Sequence, residues 1–130
     1  MALARHRHQI RLPRFVHHLA IELGETQSVI GWTALTTLAP STREWALSFA
    51  LAKAHWCHGY MTEAVAALVD HAFLELNAHR IFVEVDPANA ASTRVVERCA
   101  FELEGRLCAK NHFRGEWCDA LLYAILEERS

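Results

Sequence analysis

The chain predicts a mixed α/β (α+β) sandwich, with helices packed on a mostly antiparallel, twisted sheet. Three patterns predict it: period-two apolar alternation through the first third, one strong helical stripe in the middle, and alternation again toward the C-terminus. The 130 residues, 52% hydrophobic and 22% charged, read as one domain (1–130) able to bury a core without metal or disulfide staples.

Each element follows from its spacing. "RFVHHLAIEL" puts Phe15, His17, Leu19, Ile21 and Leu23 on one face, and "GETQ" turns the chain into a second strand, "SVIGWTAL". "REWALSFAL" sets Trp45, Leu47, Phe49 and Leu51 against Ala46, Ser48 and Ala50. After Gly59 the period changes: Val65, Leu68, Val69, Ala72, Phe73 and Leu76 form one helical stripe, with Asn77 as its stop. "RIFVEV" returns to strand and "DP" breaks it. A shorter helix over about 90–100 turns Val95, Val96 and Cys99 inward. Phe101, Leu103, Gly105 and Leu107 then alternate with Glu102, Glu104 and Arg106, and a turn at Arg114–Gly115 leads into "WCDALLYAIL". The order is β-β-β-α-β-α-β-β.

Charge and cysteines narrow the function. A net charge of -2 argues against nucleic-acid and membrane-surface binding, which need a basic excess. The basic cluster at 5–14 reads as a solvated tail. "MALARHRHQIRLPRF" lacks an apolar signal core, and no run approaches the ~18 apolar residues of a membrane helix. Cys57, Cys99, Cys108 and Cys118 form no CxxC pair, so they read as reduced thiols. A cytoplasmic location is expected.

The stretch "HWCHGYMTEA", 55–64, admits three readings. His55, Cys57 and His58 supply at most part of a zinc set, and no metal is expected. As a plain loop, its histidines are solvated and Cys57 packs. As a strand-to-helix junction with Gly59 at its turn, it offers unpaired amides and a positive dipole end, the makings of a phosphate cradle.

"WCHGYMTEAVAALVDHAF", "HRIFVEVDPANAASTRVVERCAFELEG" and "GEWCDALLYAIL" together resemble the GNAT N-acetyltransferases. The nearest branch is the one acting on the N-terminal amines of ribosomal proteins (RimJ/RimL-like). The resemblance runs over about 28–128. It implies the GNAT fold, with no counterpart here for the family's opening strand and first two helices, so the chain is N-terminally short. It implies acetyl-CoA as co-substrate and an amine acceptor, either a protein N-terminus or a small molecule. The amine attacks the thioester directly in a ternary complex. The alternative is a catalytically impaired CoA-binding remnant with a regulatory or assembly role. Exposed sheet edges favour pairing between chains, so a homodimer is a further expectation.

Residue by residue, the resemblance places the pyrophosphate over the backbone of Trp56, Cys57, His58, Gly59, Tyr60 and Met61, with Thr62 nearby. The backbone of Ala50, Leu51 and Ala52 pairs with the pantetheine, and an N–H near Leu51 polarises the thioester oxygen. Asn89 contacts the pantetheine, and Ser92 is the catalytic candidate that protonates the departing thiolate. Helix capping is the competing role for Asn89 and Ser92. Glu63 favours the helix start, while Asp119 and Tyr123 read as structural. Cys57, Met61 and Ala100 depart from the family pattern, with Met61 expected to crowd the phosphates and Ala100 a mild change. Val96 stands where broader relatives carry a tyrosine acid. No general base is evident, although Asn111 and His112 fall near where relatives place a carboxylate.

Overall fold

Three strands, Val16–Leu23, Val29–Thr36 and Glu44–Leu51, form an antiparallel meander in register His17↔Leu35↔Leu47 and Leu19↔Thr33↔Phe49. The structure is a computed structural model that describes residues 4–10, 16–23, 28–37, 39–53, 56 and 58–127. Numbering its strands in order gives β1 Ala4–Ile10, β2 to β4 for the meander, β5 Arg80–Val85, β6 Glu102–Phe113 and β7 Glu116–Leu126. The helices are α1 Tyr60–Glu75 and α2 Ala90–Arg98. All seven strands join one sheet, in the order β1-β2-β3-β4-β5-β7-β6.

Every pairing is antiparallel except β4 with β5. Parallel neighbours need a long crossover, and α1 supplies it. The helical stripe explains where α1 packs: Val65, Leu68, Val69 and Ala72 are buried in one cluster with Leu19, Ile21, Leu35, Trp45 and Leu47. Val96 of α2 joins the same cluster beside Val83, Val85 and Tyr123. Both helices therefore cover one face of the sheet. The other face carries Ala20, Trp32 and Ala50 in one register row, and His18, Ala34 and Ser48 in the next.

Local chemistry ends each helix where expected. Asn77 stops α1 with φ 56, a left-handed conformation that asparagine tolerates, and Ala78 N–H closes onto the Ala72 carbonyl. The end of α2 is a Schellman motif: Phe101 N–H donates to Val96 O, and Ala100 N–H to Glu97 O. Ala100 sits at φ 69, where glycine is favoured and a Cβ is strained. The exchange of glycine for alanine is thus less mild than the sequence suggests.

The strand missing from the sequence-based order is β1. The basic cluster at 5–14, expected as a solvated tail, overlaps Ala4–Ile10, which pairs antiparallel with β2 over its whole length. An opening strand is present, contrary to expectation. Among the described residues both α-helices follow β4. Along β6 the expected alternation does not bury Leu103, which is 56% exposed, because β6 is the sheet's edge strand.

Candidate functional site

The parallel pairing of β4 and β5 stops early. It holds only at Glu44↔Arg80, Trp45↔Ile81 and Ala46↔Phe82, after which the strands diverge and open a seam.

 Past Ala46 and Phe82, each strand runs on toward its C-terminal end without the other. The N-terminus of α1 and the first turns of α2 stand over this seam, leaving a cleft of about 330 Å³.

β4 lines the cleft with Phe49, Ala50 and Leu51, and its backbone polarity is settled by its bonds. Ala52 N–H donates to Ile30 O on β3 at 2.8 Å. Successive residues of a strand direct their amides to opposite sides, so the N–H of Leu51 points toward the seam. The carbonyl of Leu51 points the same way and accepts from Trp56 Nε1 at 2.8 Å. Leu51 therefore presents both its backbone N–H and its carbonyl on the seam side of β4. Ala52 does not line the cleft: its amide is committed to β3, which corrects its assignment. Gly31 permits the close β3–β4 approach, since a Cβ there would lie 2.4 Å from Ala50 O.

The start of α1 forms the second wall. Gly59 takes φ 77, a conformation that favours glycine, and the first intrahelical bond runs from Glu63 N–H to Gly59 O. The amides of Met61 and Thr62 precede that bond, in the first turn where a helix leaves its N–H groups to other acceptors. Tyr60, Met61 and Thr62 line the cleft with Gly59 and Trp56. His58 does not; it stacks on Tyr60 with ring centroids 5.4 Å apart. Cys57 lies outside the described residues. Met61 is only 3% exposed and belongs to the core cluster, so its side chain is anchored below the cleft rather than crowding it.

α2 forms the third wall. Asn89 is its N-cap, Oδ1 accepting from Ser92 N–H at 3.0 Å, and both residues line the cleft. Capping occupies one acceptor and leaves the Asn89 amide donors and the Ser92 hydroxyl to face a ligand. Arg94 and Arg98, one helical turn apart, also line it, and none of the lining residues is acidic. Sequence reasoning missed both arginines; their i, i+4 spacing on the helix carrying Asn89 and Ser92 was the available signal.

Thiol and phenol chemistry is muted around the cleft. Burial pushes the Cys99 thiol up to about 11, and its Sγ donates to Thr62 O at 3.5 Å. Tyr123 is buried and donates to Glu97 at 3.1 Å; burial and then the Glu97 carboxylate raise its pKa. Asp119 accepts from Arg106 Nε at 2.7 Å and Ala109 N–H at 2.8 Å. The expected structural roles of Tyr123 and Asp119 match these contacts. No group of three or more His, Cys, Asp or Glu able to hold a metal occurs among the described residues.

Residues 2–102 match the model of the acetyltransferase (GNAT) domain. The chain belongs to the GNAT acetyltransferase domain family. The match takes in β1, whereas the sequence resemblance began near residue 28. Among curated proteins, this GNAT chain is 37% identical to the probable N-acetyltransferase YjcK of Bacillus subtilis (strain 168), covering 85% of the chain and 61% of YjcK. It is similar to Mycobacterium smegmatis RimJ in complex with CoA-disulfide, with TM-score 0.80 and 28% identity over 88% of this chain and 54% of that one. It shares the fold of the ribosomal-protein-S5-alanine acetyltransferase from Vibrio fischeri, with TM-score 0.83 and 21% identity over 88% and 63% of the two chains. The GNAT chain thus spans less than two thirds of the length of these proteins.

Proposed function

We propose that the protein is an acetyl-CoA-dependent N-acetyltransferase that transfers an acetyl group to a primary amine. The observation that carries this reading is the opened β4–β5 seam, walled by the start of α1 and two arginines with no carboxylate among its lining. A long ligand with an anionic end and an amide-bearing arm suits that arrangement. The donor set fits CoA: amides of Gly59, Tyr60 and Met61 for the pyrophosphate, Arg94 and Arg98 for further phosphate charge, and the edge of β4 with Asn89 for the pantetheine.

The chemistry asked of this chain is modest. The acetyl thioester supplies an activated carbonyl. The Leu51 N–H faces the charge that develops on the carbonyl oxygen. The amine attacks directly in a ternary complex, the C–N bond forms as C–S breaks, the amine's surplus proton passes to solvent, and Ser92 Oγ hands a proton to the thiolate sulfur. No cysteine nucleophile enters, consistent with the raised pKa of Cys99.

The remaining assignments rest on the same reading. The chain acts as one GNAT-like domain over 1–130, in the cytoplasm, on a protein N-terminus or a small-molecule amine, and forms a homodimer through its sheet edges. Among the described residues no helix is long and apolar enough to cross a membrane. Turnover of acetyl-CoA with a panel of N-terminal peptides and small amines tests the function. Acetylated product is expected with at least one class. CoA binding seen as raised thermal stability, with no transfer to any amine, would establish a CoA-binding remnant instead.

A further inference from the structure

The sequence holds two lysines, Lys53 and Lys110, and the fold sets them in different places. Lys110 lies on β6, the edge strand, with β7 and β5 between it and β4. Lys53 lies between Leu51 and Trp56 in the chain, and both of these line the cofactor cleft. Its backbone is tied to theirs. Trp56 N–H donates to the Lys53 carbonyl at 3.2 Å, and the Trp56 indole returns to the Leu51 carbonyl at 2.8 Å. Ala52, the residue before it, is fixed by its own bond to Ile30 O. Lys53 is thus anchored at the rim of the cleft, with its side chain exposed.

Nothing near it claims the amine. Among the described residues Lys53 enters no ion pair and no side-chain hydrogen bond, and no carboxylate lines the cleft. Reach is sufficient. Two residues of extended chain span at most about 7 Å, and the flexible lysine stem carries its amine about 6 Å from Cα. The stem can fold back toward Leu51, whose N–H faces the thioester oxygen. That brings the amine to the roughly 3–3.5 Å of a near-attack geometry.

We infer that Lys53 is a modification site, acetylated by the acetyl-CoA held in the chain's own cleft. This rests on the acetyl-transfer reading. The Lys53 ammonium gives one proton to solvent, and the neutral amine attacks the thioester carbon. The C–N bond forms as C–S breaks. The nitrogen's surplus proton passes to solvent, and the thiolate takes up a proton through Ser92. The products are acetyl-Lys53 and CoA. Acetylation turns a cation at the rim of a site for an anionic ligand into a neutral amide, so the next acetyl-CoA binds more weakly. An external amine competes with Lys53 for the same thioester, so the modification builds up when acceptor is scarce.

The test incubates the full chain with isotope-labelled acetyl-CoA and no added amine, in wild type, Lys53→Arg and Lys110→Arg. Peptide mass spectrometry maps the label. Lys53 is expected to be labelled about tenfold faster than Lys110, because the reaction is intramolecular, and at a rate per chain independent of protein concentration. Excess unlabelled CoA, which fills the cleft without an acetyl group, should suppress labelling of Lys53 and spare Lys110. K53R loses the label but keeps its thermal shift with CoA, which checks folding and the cofactor cleft. K110R keeps the label at Lys53. Equal labelling of the two lysines, or labelling of Lys53 that CoA does not suppress, marks solution chemistry and overturns the assignment. A rate that rises with protein concentration marks transfer between chains and overturns it as well. Transfer to an added amine with no label at Lys53 overturns this inference alone. Absence of transfer to every amine overturns the acetyl-transfer reading and this one with it.

Discussion

Trp56 Nε1 donates to the carbonyl of Leu51 at 2.8 Å, tying the loop that enters α1 to the last residue of β4. The tie joins two walls of one cleft and closes off a carbonyl at the open edge of β4. It leaves the neighbouring N–H of Leu51 as the donor facing the seam. Trp56→Phe keeps the ring and removes the donor. Losing a neutral hydrogen bond of about 1 kcal/mol is expected to weaken CoA binding about fivefold, measured by calorimetry, with little change in melting temperature.

Arg94 and Arg98 carry the positive side-chain charge of the cleft. Arg94→Gln and Arg98→Gln are each expected to raise the Kd for CoA about tenfold, in line with charged hydrogen bonds of about 1.5–3 kcal/mol. Binding by wild type should weaken as salt rises, since exposed charges are screened, and the double variant should lose most of that dependence. A titration at two ionic strengths decides it. Equal salt dependence in wild type and double variant would remove these arginines from the phosphate site.

The left-handed residues separate the two helix ends. Gly59 at φ 77 opens α1, and Ala100 at φ 69 follows α2. Gly59→Ala places a Cβ in a strained conformation beside the helix-start amides, at a cost of about 1 kcal/mol, so both melting temperature and CoA affinity are expected to fall. Ala100→Gly relieves the same strain in a Schellman motif away from the amides. It is expected to stabilise the fold by about 0.5–1 kcal/mol with CoA affinity unchanged. Chemical denaturation with and without CoA distinguishes the pair.

Much of this architecture is legible in the residue order because one-sided burial imposes a period. Trp45, Leu47, Phe49 and Leu51 alternate because β4 is covered on one face, and Val65 to Leu76 repeat helically because α1 packs one stripe onto that face. β1 escapes because "ARHRHQI" is polar at nearly every position, as suits a sheet edge with no apolar alternation to read. The Gly59 junction and the Asn89–Ser92 cap are legible since their chemistry is local. The expected span of Ala50, Leu51 and Ala52 runs one residue too far because strand polarity depends on which neighbour takes the Ala52 amide, and that partner, Ile30, is remote in sequence.

Asp119 links the β6–β7 hairpin to pH. Its carboxylate accepts the Ala109 amide, where the β6–β7 register shifts and Ala109 takes φ 49, and pairs with Arg106. The backbone hydrogen bond first, and Arg106 next, hold its pKa below the usual carboxylate range. A depressed folded pKa means the stabilisation is complete above the ordinary aspartate pKa and is lost as pH falls through the lower, folded value. Glu127, lowered by His79 and Arg43, acts in the same direction at the other end of the sheet. Both carboxylates are solvent-accessible, so the effect of each is small. Asp119→Asn is expected to flatten part of the acid limb of the melting temperature between about pH 5 and pH 3, while leaving the alkaline limb unchanged. Melting curves across pH measure the effect. An acid limb identical to wild type would show that the pair with Arg106 adds nothing to stability.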